Sequence, residues 1–275
     1  MRYGVLADIH GNVQALEAVT AELGRIGVDR YLCAGDLVGY GAQPNECVEM
    51  VARLEPICVA GNHDLMALGE LSEERCVRLA RRSMRWTREA LSDDARAYLA
   101  SLPRRAEGAG GVVVAHGSLD DPEEYVLRVN QATVQLGRLA HEHPGAKVLV
   151  VGHTHLAFAS DGSSTSLEPA PETWKTSLEP APASAVALNG SRAWLLNPGA
   201  VGQSRERLAL ARFMLLDLER GEATFHAIPY DIEGGRRMLR RRGLPTRSYH
   251  LRPTRWKAWS RPLRRLLSRA RRIAR

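Results

Sequence analysis

Five short clusters in this chain carry metal-ligating side chains: Asp8-Ile9-His10, Gly35-Asp36, Gly61-Asn62-His63-Asp64, His116-Gly117 and Gly152-His153-Thr154-His155. Carboxylate oxygen and imidazole nitrogen without thiolate suit Mn²⁺, Fe, Zn²⁺ or Ni²⁺. The candidates are too many for one ion and about enough for two. In Asp-x-His and His-x-His, residues i and i+2 on an extended backbone point to the same side, so each pair can offer ligands to neighbouring ions. The glycines at 11, 35, 61, 117 and 152 let the backbone turn sharply beside them. Taken singly, each cluster has an ordinary reading: Asp-x-His occurs by chance, Gly-Asn-His-Asp makes a turn, and His116 serves as a hydrogen-bonded core histidine. The conjunction of all five points to metal chemistry.

Each cluster directly follows an apolar run that reads as a strand: Arg2–Ala7, Arg30–Ala34, Pro56–Ala60, Val112–Ala115 and Lys147–Val151. If these strands share one sheet and one direction, their clusters meet at its C-terminal edge, where open α/β sheets build sites. Between them lie helical patterns. Asn12 caps one with the apolar face Val13, Leu16, Val19, Leu23 and Ile26. Residues 44–54 form another, with Pro44 in its first turn. Further helical patterns cover 72–101 and about 131–142. The strands Arg192–Leu196, Leu208–Leu218 and Glu222–Ile228 follow. Short strands separated by helices predict an α/β chain with helices on the sheet faces.

A 275-residue chain with 44 % hydrophobic and 25 % charged residues is neither disordered nor fibrous. No apolar run approaches the ~18–20 residues that cross a bilayer. The first residues read as a strand and lack a signal-peptide pattern. Together these features predict a cytoplasmic protein with no transmembrane segment. Cys33, Cys47, Cys58 and Cys76 form no C-x-x-C pair and no zinc-finger spacing, and are expected to be buried, reduced thiols.

In their order, the clusters resemble the calcineurin-like metallophosphoesterases, whose pattern runs Asp-x-His, Gly-Asp, Gly-Asn-His-Asp/Glu, a single His and Gly-His-x-His. Gly35-Asp36-Leu37-Val38-Gly39-Tyr40-Gly41 and Asn197-Pro198-Gly199-Ala200-Val201-Gly202-Gln203 look like a bacterial branch of small single-domain members. The resemblance covers roughly residues 1–230. It implies a four-layer α/β (α+β) sandwich, two packed mixed sheets flanked by helices, holding two divalent transition-metal ions, with Mn first and Fe, Zn or Ni as alternatives. Carried over by position, Asp8, His10 and His155 bind the first ion. Asn62, His116 and His153 bind the second, and Asp36 bridges both. His63 touches substrate, and Asp64 orients its imidazole. Arg205, just beyond the 197–203 loop, is a candidate contact for substrate phosphate.

The resemblance also implies the reaction: hydrolysis of a phosphodiester or phosphomonoester by a metal-bridging hydroxide, with no covalent phosphoenzyme. With Asp8 and Asp36 as the anionic ligands, two divalent ions leave the bare site at about +2, which attracts phosphate. Ions ~3.5–4 Å apart generate hydroxide near neutral pH. A protonated His63, favoured by a neighbouring Asp64, would neutralise the leaving oxygen and contribute typically ~10²–10⁴-fold in rate.

Two segments depart from that pattern. Thr165–Pro171 recurs as Thr176–Pro182, inside a Pro- and Ser-containing insert at 160–185 that reads as a mobile loop. Residues 236–275 hold 16 Arg plus Lys and no acid, which leaves residues 1–235 with 22 basic and 31 acidic residues, net −9. At helical spacing Leu263, Leu266, Leu267, Ala270 and Ile273 face one side, with Arg264, Arg265, Arg269, Arg271, Arg272 and Arg275 opposite. The expected organisation is a metallophosphoesterase domain at 1–243 and a basic amphipathic tail at 244–275. Such a tail suits nucleic acid, another polyanion, an anionic membrane surface, an acidic partner or the acidic body itself. It supports a rival reading, a nucleic-acid-binding or regulatory protein on a retained phosphoesterase scaffold.

Overall fold

The computed structural model describes residues 1–163, 168–169, 184–188 and 190–251. The first half comprises β1 (Arg2–Leu6), α1 (Val13–Ile26), β2 (Arg30–Cys33), α2 (Pro44–Arg53), β3 (Ile57–Cys58), α3 (Asn62–Leu68), α4 (Arg78–Ala90) and α5 (Asp93–Ser101). Then come β4 (Arg105–Gly108), β5 (Val112–Ala115), α6 (Val129–Glu142), β6 (Val148–Val150), β7 (Ala157–Ser160), β8 (Glu168–Pro169), β9 (Ser184–Ala187), β10 (Trp194–Pro198), β11 (Ala211–Asp217), β12 (Glu222–Ile228) and α7 (Ile232–Arg241). A 3-10 turn, Thr246–Tyr249, follows α7.

The strands form two mixed six-stranded sheets, ordered β3-β2-β1-β11-β12-β9 and β4-β5-β6-β10-β7-β8. Strands β1, β2 and β3 run parallel in the first, and β5, β6 and β10 in the second. The two mixed sheets that the resemblance implies are thus present, and the condition that all five strands share one sheet is not met. Three clusters leave the first sheet and two leave the second, because the strand pattern alone says nothing about which strands pair.

Strand alternation builds the layers. On β1, Tyr3 and Val5 face the second sheet and pack with Val112, Val114, Val148, Val150 and Leu196. Leu6 faces the other way, onto Val13, Leu16, Val19 and Leu23 of α1. On β5, Val113 and Ala115 turn outward against Ala132, Leu136 and Leu139 of α6. Helix, sheet, sheet and helix are thus held by three apolar seams, and each fully buried Leu or Val contributes roughly 1.5–3 kcal/mol.

The helical stretch predicted over 72–101 is broken. A 3-10 turn (Glu73–Arg75) precedes α4, and α4 stops at Leu91, whose ψ of 127° leaves the helical range. Ser92 then caps α5 by accepting from Ala95 N–H at 3.2 Å. Cys33, Cys47 and Cys58 are buried free thiols, and Cys76 is half-buried. Residues 244–251, grouped by sequence with the tail, pack on the body: Leu244, Ser248 and Tyr249 are buried. Of the insert, Ser160 ends β7 and Ser184 opens β9. Residues 164–167 and 170–183 lie outside the described residues, as does the segment 252–275 on which the basic face and its polyanion partner were inferred. No helix among the described residues is long and apolar enough to cross a membrane.

Candidate metal centre

The loops after β1 and β2 run side by side, joined by Asp8 N–H to Gly35 O (3.0 Å), His10 N–H to Asp36 O (2.9 Å) and Gly11 N–H to Leu37 O (2.9 Å). On the opposite side of the β1 loop, Gly202 N–H donates to Asp8 O at 2.9 Å. A Cβ at Gly202 would come within 1.6 Å of Ile9 O, so only glycine allows this approach. Among the described residues, six of the seven non-glycine residues with positive φ lie here: Asp8, His10, Asp36, Tyr40, His153 and His155, at 51–65°. Each left-handed residue costs about 1–2 kcal/mol, so the surrounding structure imposes these turns. The extended Asp-x-His and His-x-His geometry expected from sequence is therefore corrected: the backbone is left-handed at both ends of each pair.

Two groups of donors result. Asp8, His10 and His155 form one; Asp36, His116 and His153 form the other; within each group the ligand atoms lie within 4.8 Å of one another. The His-x-His pair is split between the groups. Each histidine turns one ring nitrogen to a backbone carbonyl: His10 Nδ1 to Val38 O (3.0 Å), His116 Nδ1 to Ala34 O (2.6 Å), His155 Nδ1 to Gln203 O (2.7 Å) and His153 Nε2 to Glu123 O (3.2 Å). A carbonyl only accepts, so those nitrogens carry protons; the opposite nitrogens of His10, His153 and His155 present lone pairs, and His116 Nε2 does so once it has lost its second proton. His10 Nε2 and His155 Nε2 then face each other at 3.2 Å, and His155 Nε2 lies 3.4 Å from Asp8 Oδ1.

Both carboxylates are anchored alike. Asp8 Oδ1 accepts from His153 N–H at 3.1 Å, and Asp36 Oδ1 accepts from His63 N–H at 2.7 Å. Asp8 Oδ2 and Asp36 Oδ2 are buried without a hydrogen-bond partner. Asp36 Oδ2 stands between the groups, 3.6 Å from His10 Nε2 and 3.3 Å from His116 Nε2. Buried lone pairs converging in this way repel unless a cation lies among them, either the second proton of His116 or a metal ion, so the donor set fits divalent metal ions.

The metal-free polypeptide is electrostatically tense. Burial pushes the Asp8 carboxyl up to about 7, with Asp36 adding to the rise. Burial lowers the His10 imidazole to about 3 and drives His153 and His155 well below the ordinary range. Burial also opposes charge on His116 and Asp36. Their mutual attraction prevails, raising His116 to about 9 and holding Asp36 well below the carboxylate range.

The Gly-Asn-His-Asp segment is the first turn of α3, with Gly61 as its N-cap. Asn62 Oδ1 lies 3.0 Å from His116 Nε2, beside the second group. The His63 ring packs edge-on to His10 with centroids 4.8 Å apart, and its Nδ1 is buried without a partner. Asp64 does not orient that ring. Its carboxylate accepts from the N–H groups of Asp36, Leu37, Val38 and Gly61 at 2.8–3.1 Å. At position N3 of α3 it reaches back to the cap and across to the Asp36 loop, which consumes its acceptor capacity. Burial accordingly lowers the His63 imidazole, and Asp64 does not favour its protonation as expected.

Residues 1–221 match the calcineurin-like phosphoesterase superfamily domain. The chain belongs to that superfamily. A metallophosphoesterase from Sphaerobacter thermophilus is 32 % identical and superposes with a TM-score of 0.75, covering 90 % of this chain and 96 % of its own. A hypothetical protein from Pyrococcus horikoshii superposes at 0.71 with 19 % identity, over 91 % and 98 % of the two chains, and shares the fold. An uncharacterized protein of Methanocaldococcus jannaschii is 29 % identical over 247 residues, 88 % of this chain and 93 % of that one.

This calcineurin-like phosphoesterase is thus a metal-dependent hydrolase of phosphate esters, with two donor groups that fit divalent ions. At its mouth, Arg205 donates from Nε to Gln203 Oε1 (3.3 Å) and from Nη1 to Tyr125 Oη (3.3 Å), and forms no ion pair among the described residues. The Tyr125 ring leans on His153 at a tilt of 39° with centroids 4.0 Å apart, and Tyr125 remains 41 % exposed. Tyr40 packs against both His63 and His10. Sequence reasoning missed Tyr125, which sits in an irregular loop with no spacing signal. It quoted Gln203 only as part of a loop, without its hold on His155.

Proposed function

We propose that this phosphoesterase holds two divalent ions, Mn²⁺ foremost, and hydrolyses phosphodiester or phosphomonoester bonds without a covalent phosphoenzyme. Asp8, His10 and His155 would hold one ion, Asn62, His116 and His153 the other, and Asp36 both. The observation that carries this reading is Asp36 Oδ2, buried and within 3.6 Å of an imidazole Nε2 from each group. When bound, the ions supply Lewis acidity, polarising phosphoryl oxygens and lowering the pKa of water for in-line attack on phosphorus.

The chain's own residues do the rest. His63, packed against His10 and Tyr40, holds or delivers a proton at the leaving oxygen. Asp64 acts one step removed, tying the Asp36 loop to the start of α3. Arg205 keeps N–H groups uncommitted to any carboxylate and donates them to a phosphoryl oxygen, an arrangement favourable to bidentate phosphate recognition. The test is hydrolysis of bis(p-nitrophenyl) phosphate and p-nitrophenyl phosphate by metal-stripped protein titrated with Mn²⁺. Activity should rise with ion uptake and saturate at two equivalents. Full activity at one equivalent, or activity indifferent to chelation, overturns the two-ion reading.

A further inference from the structure

Beyond residue 221 the chain leaves the region matched to the superfamily domain, yet its last described turn reaches the site. Tyr249 is fully buried, and its ring lies against Gly235 of α7, where a Cβ would come within 2.8 Å of Cε2. The hydroxyl donates to Gly11 O and accepts from Ala42 N–H, both at 3.1 Å. Gly11 follows His10, and Gly41, beside Ala42, is so close to His10 O that a Cβ there would come within 2.1 Å. One phenol therefore clasps the loop carrying His10 to the loop carrying Tyr40.

The same turn grips a third loop. Ser204 N–H donates to Tyr249 O at 3.1 Å, Leu251 N–H donates to Ser204 O at 2.9 Å, and Gln203 Nε2 donates to Ser248 O at 2.9 Å. Gln203 in turn offers its backbone oxygen to His155 Nδ1 and its side-chain oxygen to Arg205. The turn thus supports His10 and His155, both of the first donor group. His116 and His153 of the second group are held directly by Ala34 O and Glu123 O, and the turn reaches His153 only at a distance, through Gln203, Arg205 and the Tyr125 ring.

We infer that Tyr249 is a positioning residue that sets the affinity of the Asp8, His10 and His155 group selectively, through its hydroxyl bonds to Gly11 and Ala42. The inference rests on the two-ion reading for its metal consequence but not for its structural one. Tyr249→Phe keeps the packed ring and removes both hydroxyl bonds. Loss of an outer partner of a metal ligand typically weakens binding by about 10–100-fold. One bond further out, the expected effect is about tenfold.

The full-length variant and parent should be compared by calorimetric Mn²⁺ titration of metal-stripped protein, with His10→Ala identifying the first-group step. In Tyr249→Phe that step should weaken by about tenfold, leaving the other within about twofold. Hydrogen exchange of the metal-stripped proteins supplies a readout that needs no ion: residues 8–12 and 40–43 should lose protection while 115–118 keep theirs. Unchanged exchange at 8–12 and 40–43 overturns the inference. So does a uniform loss of protection, or an equal weakening of both steps with a fall in Tm, since either marks Tyr249 as merely structural. If the parent itself takes up only one ion, the two-ion reading fails, and the exchange pattern still decides for or against Tyr249.

Discussion

Asp64 turns its carboxylate away from the neighbouring His63 and onto the loop of Asp36, where Oδ2 accepts the Asp36 N–H at 2.8 Å and Oδ1 accepts the N–H groups of Leu37 and Val38. The acid beside the proposed proton donor is thus a brace for the proposed bridging ligand. Removing it with Asp64→Ala leaves four buried N–H groups without their acceptor, each worth about 1–3 kcal/mol when unsatisfied. With partial relaxation, stability should fall by about 2–4 kcal/mol and Tm by roughly 5–15 °C. Thermal unfolding checks this. An unchanged Tm with a rate loss equal to that of His63→Ala would restore Asp64 as the partner of His63.

Asp36→Asn removes one of two anionic donors and the oxygen placed between the groups. Turnover should drop by more than about 100-fold, since even outer partners of metal ligands are worth 10–100-fold. Mn²⁺ content measured by atomic emission should fall for both sites, with far-UV circular dichroism unchanged. Two tightly bound ions and near-normal turnover would remove Asp36 from the bridging role.

His63→Ala separates proton transfer from ion binding. Its Nδ1 is unpartnered, and its contact with His10 is ring against ring. Two ions should stay bound while kcat falls about 10²–10⁴-fold. A loss of metal instead would make His63 a ligand.

Arg205→Gln shortens the side chain and removes the charge beside Tyr125. A charge-assisted hydrogen bond is worth about 1.5–3 kcal/mol, so kcat/KM should fall about 10–100-fold with metal content unaltered. Unchanged kinetics with either ester would leave Arg205 as a strut between Gln203 and Tyr125.

The His116–Asp36 pair gives a pH signature to the metal-free protein. Attraction to Asp36 raises His116 to about 9, above its ordinary 6.5. That pair therefore stabilises the metal-free fold fully below about 6.5 and loses its contribution as pH rises through about 9. An ion at the second group must displace that proton, so apparent Mn²⁺ affinity should rise by about tenfold per pH unit over that interval, with one proton released. Calorimetry in buffers of different ionisation enthalpy counts it, and uptake without proton release would refute the pairing.

Much of the centre was legible in the order of residues, because its donors sit where apolar runs end, and donor chemistry is a property of residue type. The five clusters were found that way, while the resemblance singled out Asp8, His10, Asp36, Asn62, His116, His153 and His155 among them; the structure brings six of these together in two neighbouring groups, with Asn62 beside the second. The five strands preceding them were legible as well, Val112–Ala115 at both ends and the others to within two residues. Local sequence determined those elements because strands buried on both faces read as short continuous apolar runs.

Tertiary structure alone decided the rest. Which strands pair placed three clusters on one sheet and two on the other. The left-handed backbone at Asp8, His10, His153 and His155 is imposed by adjoining loops and opposes local preference, so no propensity announces it. The carboxylate of Asp64 and the phenol of Tyr249 find partners 26–28 and 207–238 residues away. Spacing along a chain carries no record of such contacts, because they exist only once separate loops have been packed side by side.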